Sequence, residues 1–168
     1  VPTLHRMALR TTSRLAERLD VDPSHPGPEV FVTGFEVSGR DGKKIEDDPS
    51  LERLGAILQR VLLGQLLDDR LLGLGYLAGL DWKQIDLLIT YRNYFLQVFQ
   101  QFGVQSVDDT LLKHPTFASM LVEYFQTKFG TERKETPAER ADQLLPVIVY
   151  KYEEGLQKVT VIQEDLIL

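Results

Sequence analysis

The sequence feature that most constrains the fold is a helix that carries both its own start signal and a large apolar face. Asp81 is followed three residues later by Gln84, the spacing of a capping box, which satisfies backbone N–H groups in the first turn. An apolar stripe with helical period buries one face of a helix. The segment that begins at Asp81 is therefore predicted to be the central helix of a core. Its stripe comprises Trp82, Ile85, Leu88, Ile89, Phe95 and Phe99.

Similar helical patterns fill the chain from residue 49 onward, and the sequence shows no internal repeat. Caps, prolines and glycines at element ends predict where these helices start and stop. The predicted fold class is mainly α, a multi-helix bundle with a small N-terminal β-hairpin. Ser50 is predicted to be the first N-cap, and residues 70–80 form a short apolar segment. Gly103 is predicted to end the central helix, Ser106 or Asp108 to start the next one, and Pro115 and Gly130 to bound the helix after that. A long helix kinked at Pro146 is predicted over Pro137 to Glu154, and Thr160 with Gln163 caps a last helix.

Residues 1–48 follow a different plan, a helix plus a β-hairpin. The first helix is predicted over Thr3 to Leu19, where Arg6, Arg10, Arg14 and Arg18 would line up on one face. Such a stripe is a solvated face or a surface that meets a phosphate or an acidic partner. The proline-rich residues 22–28 are predicted to be a linker.

The hairpin is predicted from a strand over Glu29 to Ser38, a tight turn at Asp41-Gly42 and a short return strand over Lys43 to Glu46. A lone hairpin is marginal in water, so this one must pack on the helices or on a sheet from elsewhere. Residues 49–168 then form the helical domain. Both chain ends are interpreted as cut points, because the last residues stop within a helix-like pattern.

Composition excludes several classes of function. The net charge of −6 over 168 residues argues against a general nucleic-acid binder. The chain has no cysteine, so it has neither a disulfide framework nor a thiolate metal site. No apolar run approaches the roughly 20 residues that a bilayer requires, and no signal peptide is seen. A cytoplasmic location, without a membrane or nucleic-acid partner, is therefore expected.

One motif resembles a cofactor site, the segment Gly73 to Ala78, which matches the dinucleotide-binding fingerprint in form. That fingerprint needs a preceding strand and an acidic residue about 20 positions on, and neither is predicted here. The two glycines are more consistent with close helix packing. The histidines are scattered, and the pairs Asp47-Asp48 and Asp68-Asp69 are interpreted as caps or solvated charges.

No catalytic, cofactor-binding or metal-ligating residue is therefore predicted in this chain. What the sequence does offer is a large amount of aromatic surface on the helix from Asp81 and on the helix from Pro115, which is typical of helices that pack on other helices or on a partner. The candidate packing or interface residues are Trp82, Tyr91, Tyr94, Phe95 and Phe125.

Several specific stretches of the sequence also resemble those of a known protein family. Residues 77–88, LAGLDWKQIDLL, and residues 90–97, TYRNYFLQ, resemble a recurring stretch of the very large NAD-dependent glutamate dehydrogenases of bacteria. HPTFA at 114–118 and LVEYF at 121–125 are similar to the helices that follow it. The end of the chain from Leu156 resembles the family segment that leads directly into the catalytic core. Residues 31–37 resemble a strand that closes an upstream ACT-like region. The resemblance is collinear over Val30 to Leu168, with departures at Gln163 and Leu166.

The resemblance implies a helical region that precedes a catalytic core. The parent reaction would convert glutamate and NAD to 2-oxoglutarate, ammonia and NADH, with the catalytic residues beyond Leu168 and NAD bound outside this segment. Residues 1–48 would be the edge of an upstream regulatory region, and residues 49–168 would lead into the core. The implied partners are the core and the regulatory domains of the same chain, in a homo-oligomer.

Two other interpretations stay open. The chain could be an independent helical protein-interaction module that binds a partner through the Arg6–Arg18 face or an aromatic groove. It could also be a small enzyme that uses residues 73–78 to bind a nucleotide. The first predicts a self-contained fold with polar ends, and the second predicts nucleotide binding by this chain alone.

Overall fold

The computed structural model of the chain describes residues 2–19, 30–130 and 134–168, and in them helices dominate. The predicted mainly α class with a small N-terminal hairpin is confirmed. The elements are α1 (Pro2–Arg6), β1 (Leu9–Leu19), β2 (Val30–Gly39), α2 (Asp48–Leu62), a 3-10 turn (Arg70–Gly73), α3 (Leu74–Leu77), α4 (Trp82–Val98), α5 (Val104–Lys113), α6 (Pro115–Phe129), α7 (Pro137–Glu139), a π-helical turn (Arg140–Leu144), α8 (Leu145–Leu156) and α9 (Ile162–Ile167).

Helix α4 begins with the predicted capping box. The Asp81 carboxylate accepts the N–H groups of Lys83 and Gln84 at 2.8 and 2.9 Å, and the Gln84 side chain accepts the N–H of Asp81 at 2.9 Å. Ile85, Leu88 and Ile89 are fully buried, so the cap and the apolar stripe place the helix as the sequence predicts.

Four predicted helix boundaries are wrong for local reasons, and one of them is the start of α5, which lies at Val104 rather than at Ser106 or Asp108. Helix α2 is capped by Asp47, whose carboxylate accepts the N–H of Ser50 at 2.9 Å, so Ser50 lies inside the helix. Helix α4 ends at Val98, and Gly103 is the N-cap of α5 rather than a stop. Helix α9 begins after Val161 without a side-chain cap, because the Gln163 amide donates to Ser106 instead.

The long helix predicted from Pro137 is present but interrupted. A Thr136–Glu139 capping box starts α7, and the chain then widens into a π-helical turn over Arg140–Leu144 before α8. Pro146 has no N–H to donate to the preceding turn, which breaks the α-helical ladder at this point. In place of the predicted kink at Pro146, the structure has a π-helical turn just before this proline.

The predicted first helix is wrong beyond Arg6. Helix α1 ends there, Ala8 adopts a positive φ of 58°, and the chain continues as β1. Strand β1 pairs antiparallel with β2, from Leu9 opposite Gly39 to Leu19 opposite Val30, with a bulge between Thr11 and Ser13. A strand partner decided the conformation of this segment, which local spacing alone assigned to a helix.

The arginine stripe disappears with the helix. The bulge adds one residue between Arg10 and Arg14, so these two side chains lie on opposite faces of the ribbon. The predicted return strand over Lys43 to Glu46 is also wrong, because β2 already pairs with β1. The turn at Asp41-Gly42 does form, with Gly42 at φ 82°. The predicted linker at residues 22–28 lies outside the described residues.

The core gathers apolar side chains from α1, the start of β1 and the helices around α4. The fully buried members are Met7, Ile57, Leu71, Leu72, Leu74, Ile85, Leu88, Ile89 and Val122. Only the base of the β1–β2 ribbon reaches this core, since Leu9 is 4% exposed while Leu15 and Phe31 are 71% and 58% exposed. The base is further fixed by Tyr76, whose hydroxyl donates to Asp41 at 2.7 Å.

The glycines of residues 73–78 lie at close contacts, as the packing interpretation predicts. A Cβ on Gly73 would lie 3.0 Å from Leu112 Cδ2, and one on Gly75 would lie 2.5 Å from Ile57 Cδ1. A 3-10 turn, not a strand, leads into them. The segment thus lacks the strand–turn–helix geometry of a dinucleotide site.

Replacing Gly75 with alanine should lower the free energy of unfolding by about 1–3 kcal/mol, because the new methyl group overpacks the contact with Ile57. Gly55→Ala is the matched control. Gly55 is exposed in α2 with nothing near its Cβ position, so alanine should add up to about 1 kcal/mol there through helix propensity. Urea unfolding of both variants measures the contrast, and equal effects would contradict this account of Gly75.

Candidate interaction groove

An apolar cavity of about 480 Å³ runs between α4 and α6 and is called the aromatic groove. Helix α4 contributes side chains spaced three or four residues apart, helix α6 contributes a second row, and Tyr152 with the end of α9 closes one side. Its aromatic lining comprises Tyr91, Tyr94, Phe95, Phe99, Tyr124, Phe125 and Tyr152.

The rings of the groove pack on one another and leave part of their surface open. Tyr91 meets Phe125 edge to face with ring centroids 5.7 Å apart, and Phe95 lies 4.8 Å from Phe99. Tyr94 is nevertheless 65% exposed and Val98 is 55% exposed. Burial and the neighbouring Tyr124 raise the pKa of Tyr91. Its hydroxyl therefore stays protonated, and able to donate, at neutral pH.

Behind the groove, Arg92 forms a buried ion cluster with two aspartates. Its Nη1 donates to Asp69 at 2.9 Å and to Asp108 at 2.8 Å, and its Nη2 donates to Asp69 at 2.8 Å. Asn93 accepts from both Nε and Nη2, so the five guanidinium N–H donors all have acceptors. This cluster ties α4 to the 3-10 turn, which Asp69 caps, and to α5.

Burying the charges of this cluster costs free energy, and the hydrogen bonds between the charged groups offset that cost. Burial raises the pKa of Asp108, and the hydrogen bonds and charge of Arg92 oppose that rise. Burial alone would lower the pKa of Arg92, but the hydrogen bonds that Arg92 donates to Asp69 and Asp108, together with the charges of these two residues, outweigh burial and raise the pKa. Buried charges with complete hydrogen bonding hold a fixed geometry, so the groove has a rigid base.

Helix α9 is fastened beside the groove by polar contacts. Glu164 accepts from Lys113 Nζ at 2.6 Å and lies 2.8 Å from His114 Nε2, and these hydrogen bonds lower the pKa of Glu164. The hydroxyl of Tyr152 donates to the backbone carbonyl of Leu168, and burial raises the pKa of Tyr152 to about 12. Ile167 and Leu168 thereby line one side of the groove.

Four of the five candidate residues named from the sequence, Tyr91, Tyr94, Phe95 and Phe125, line this groove. Trp82 does not, since its ring packs under the guanidinium of Arg60, whose Cζ lies 4.5 Å from the ring centroid. Sequence reasoning missed Arg92 and its two aspartates. A signal was present, because Arg92 falls on the same helix face as the buried Leu88 and Ile89.

Across residues 2–19, 30–130 and 134–168, no group of three or more His, Asp or Glu side chains is arranged to hold a metal ion. In the same part of the chain, no helix has the length and apolar character needed to cross a membrane.

A match to a known family covers most of the residues that line the groove. Residues 66–131 match the family model described as glutamate dehydrogenase, helical motif 3. No curated protein and no solved structure shows a significant match to the chain. The matched residues include α4, α5 and α6. The resemblance noted in the sequence is thus confirmed in its coarser form, as similarity of residues 66–131 to a helical motif of glutamate dehydrogenases.

Proposed function

We propose that this chain is a non-catalytic scaffolding and regulatory segment of an NAD-dependent glutamate dehydrogenase, and that the aromatic groove docks the catalytic core of the enzyme. The parent reaction would be oxidation of glutamate by NAD to 2-oxoglutarate, ammonia and NADH. The observation that carries the proposal is that most of the groove lies in the matched motif, because α4 and α6 supply its two facing rows and lie within residues 66–131.

The groove has the chemistry of a protein interface. Aromatic side chains on a surface bury much area at low entropic cost, and they dominate the binding energy of many interfaces. Tyr94, Val98 and Phe99 are each at least 44% exposed, so a partner could cover them. The buried Arg92 cluster holds α4 and α5 in place before binding, which lowers the cost of ordering on association.

The groove offers little that could perform chemistry itself. Its polar groups, within the described part of the chain, are tyrosine hydroxyls and an arginine whose donors are all in use. The nicotinamide cofactor and the reacting groups would then belong to the catalytic core. The other partners would be the regulatory domains upstream of this segment, in a cytoplasmic homo-oligomer.

The β1–β2 ribbon supports a second attachment of the same kind. In its described residues the ribbon is anchored at the base, and it exposes Leu15, Phe31 and Val32 by more than half of their surface. An isolated two-stranded ribbon gains stability by packing on another layer. We place the regulatory domains at this ribbon and the catalytic core at the groove.

The proposal is tested by Tyr94→Ser in the full-length dehydrogenase that contains this segment. Tyr94 is 65% exposed, so the segment should still fold without its ring. Loss of an interface ring that contributes about 2 kcal/mol should lower the affinity of the groove for the catalytic core by roughly thirtyfold. Glutamate-dependent NAD reduction should fall accordingly, most steeply at low protein concentration if the contact is between subunits.

Tyr150→Ser is the matched control, because Tyr150 is 67% exposed and lines no part of the groove. It should keep activity within about twofold of the unchanged enzyme. Equal activity in both variants would contradict docking through the groove. A full-length protein that does not reduce NAD with glutamate would instead favour an independent interaction module.

A further inference from the structure

A second cavity, of about 370 Å³, lies between α1, the turn that follows β2, the 3-10 turn and α5. Four cationic side chains line it, Arg6, Arg40, Arg70 and Lys113, together with His5. Asp109 is its one carboxylate among the described residues. The chain as a whole carries a net charge of −6, so a cavity with a basic lining is a local exception that needs an explanation.

Three of the four cations are held in place by single carboxylates. Arg6 pairs with Asp68, Arg70 pairs with Asp109, and Lys113 pairs with Glu164 at 2.6 Å. Asp68 and Glu164 do not line the cavity themselves. They fix the positions of Arg6 and Lys113 from outside it, so the cavity faces the cationic groups more than their partners.

Arg40 differs from the other three because no carboxylate among the described residues pairs with it. Its backbone is nevertheless fixed, since its N–H donates to the carbonyl of Ala8 at 2.8 Å. Ala8 is buried and holds a positive φ of 58°. The contact joins the end of α1 to the turn after β2, and it places a guanidinium without a counter-charge at the cavity.

The rest of the lining is apolar. Ala8 and Gly73 contribute backbone and small side-chain surface, and Leu77 and Leu112 contribute larger apolar side chains. Leu77 is 41% exposed, so an apolar group that covered it would gain by leaving water. The cavity thus combines a cationic edge with an apolar base.

We propose that this cavity binds an organic oxyanion, a phosphate ester or a carboxylate, whose charged group pairs with Arg40 and whose apolar part rests on Leu77 and Leu112. The planar guanidinium presents two parallel N–H donors that match the oxygens of either anion. This ligand site is separate from the aromatic groove, and it does not depend on the proposed docking function.

Phenyl phosphate and phenylacetate are suitable probes, because each joins an oxyanion to an apolar ring. Calorimetric titration of the 168-residue chain at constant ionic strength should show saturable binding of at least one. Phenyl phosphate alone binding would indicate a phosphate ester, phenylacetate alone would indicate a carboxylate, and both binding would indicate the shared oxyanion chemistry. Absence of saturable binding by both would overturn the proposal.

Arg40→Gln should weaken the binding of the active probe at least tenfold. It breaks no ion pair among the described residues, so the midpoint of thermal unfolding without probe should not change. Arg14→Gln is the matched control, because Arg14 is an exposed arginine of the ribbon that lines no part of the cavity, and its affinity should match the unchanged chain. Equal affinities for all three proteins would show that the probe binds elsewhere.

Leu77→Glu supplies an independent test of the same site. It adds a negative charge to the apolar base without touching Arg40, and the partial exposure of Leu77 allows the substitution to be accommodated. Binding should again weaken at least tenfold. Retained affinity in this variant would contradict the location of the ligand even if Arg40→Gln were affected.

Discussion

Arg92→Met should lower the free energy of unfolding by about 3–5 kcal/mol, because it removes the ion-pair partner shared by the buried Asp108 and the partly buried Asp69. The side chains of Arg92 and Asp108 are 6% and 2% exposed, and Asp69 is 15% exposed. Solvent therefore cannot replace the lost partner. Urea unfolding at neutral pH measures the effect, with Lys83→Met as a control on the exposed side of the same helix, which should change stability by less than about 0.5 kcal/mol.

The loss should shrink as the pH falls. Burial already raises the pKa of Asp108, and Arg92 supplies the interactions that oppose the rise. Without Arg92 the pKa of Asp108 in the folded state rises further above its unfolded value. A raised folded pKa gives stability that is present at low pH and lost as the pH rises through that pKa. A deficit that is equal at pH 4 and pH 8 would contradict the unpaired-charge explanation.

Phe117→Ala should cost about 3–5 kcal/mol, since it removes a buried ring where α6 meets α8. Phe117 is 6% exposed, and its ring meets Tyr152 edge to face at a centroid distance of 4.9 Å. Gly155 allows α8 to approach this closely, because a Cβ there would lie 2.9 Å from Phe117 Cζ. Alanine would leave a cavity that the helix pair cannot collapse to fill.

Phe129→Ala is the control for this experiment, because Phe129 belongs to the same helix and is 55% exposed. Its truncation should cost much less, and comparison of the two variants by urea unfolding separates burial from residue type. Similar losses would indicate that Phe117 contributes through helix propensity rather than through packing.

The helical part of the fold could be predicted because its signals are local. Asp81 and Gln84 are three residues apart, and the apolar stripe of α4 repeats within single turns, so no distant contact is needed to interpret them. Ser50 failed as a cap only because a better acceptor, Asp47, lies three residues before it. Errors of this kind move a boundary without changing the element.

The N-terminal part failed because a distant segment decides it. Residues 3–8 and 9–19 share one apolar spacing that suits a helix, yet Leu9–Leu19 is a strand because Val30–Gly39 supplies hydrogen-bond partners. Strand propensity depends on the partner more than helix propensity does. A pattern confined to the first nineteen residues could not reveal that partner.

The candidate site likewise has a part that the local sequence predicts and a part that depends on residues far apart in the chain. Aromatic residues of α4 and α6 could be named because they recur at helical spacing in the local sequence, although that spacing did not show which rings stay exposed. The Arg92 cluster joins residues 16 and 23 positions apart, and nothing in the local sequence pairs them. The basic cavity is less accessible still, because its cations come from four separate elements.

The β1–β2 ribbon has a mechanical consequence. Each of its strands holds ten or more residues in extended conformation, roughly 35 Å at the usual rise of a strand, and among the strand residues with described side chains only Leu9, Ser38 and Gly39, at its base, are buried. An arm fixed at its base acts as a lever, so a force on its far end produces torque at the base. That base adjoins Ala8 and Arg40, and whatever moves the tip therefore also strains the edge of the basic cavity.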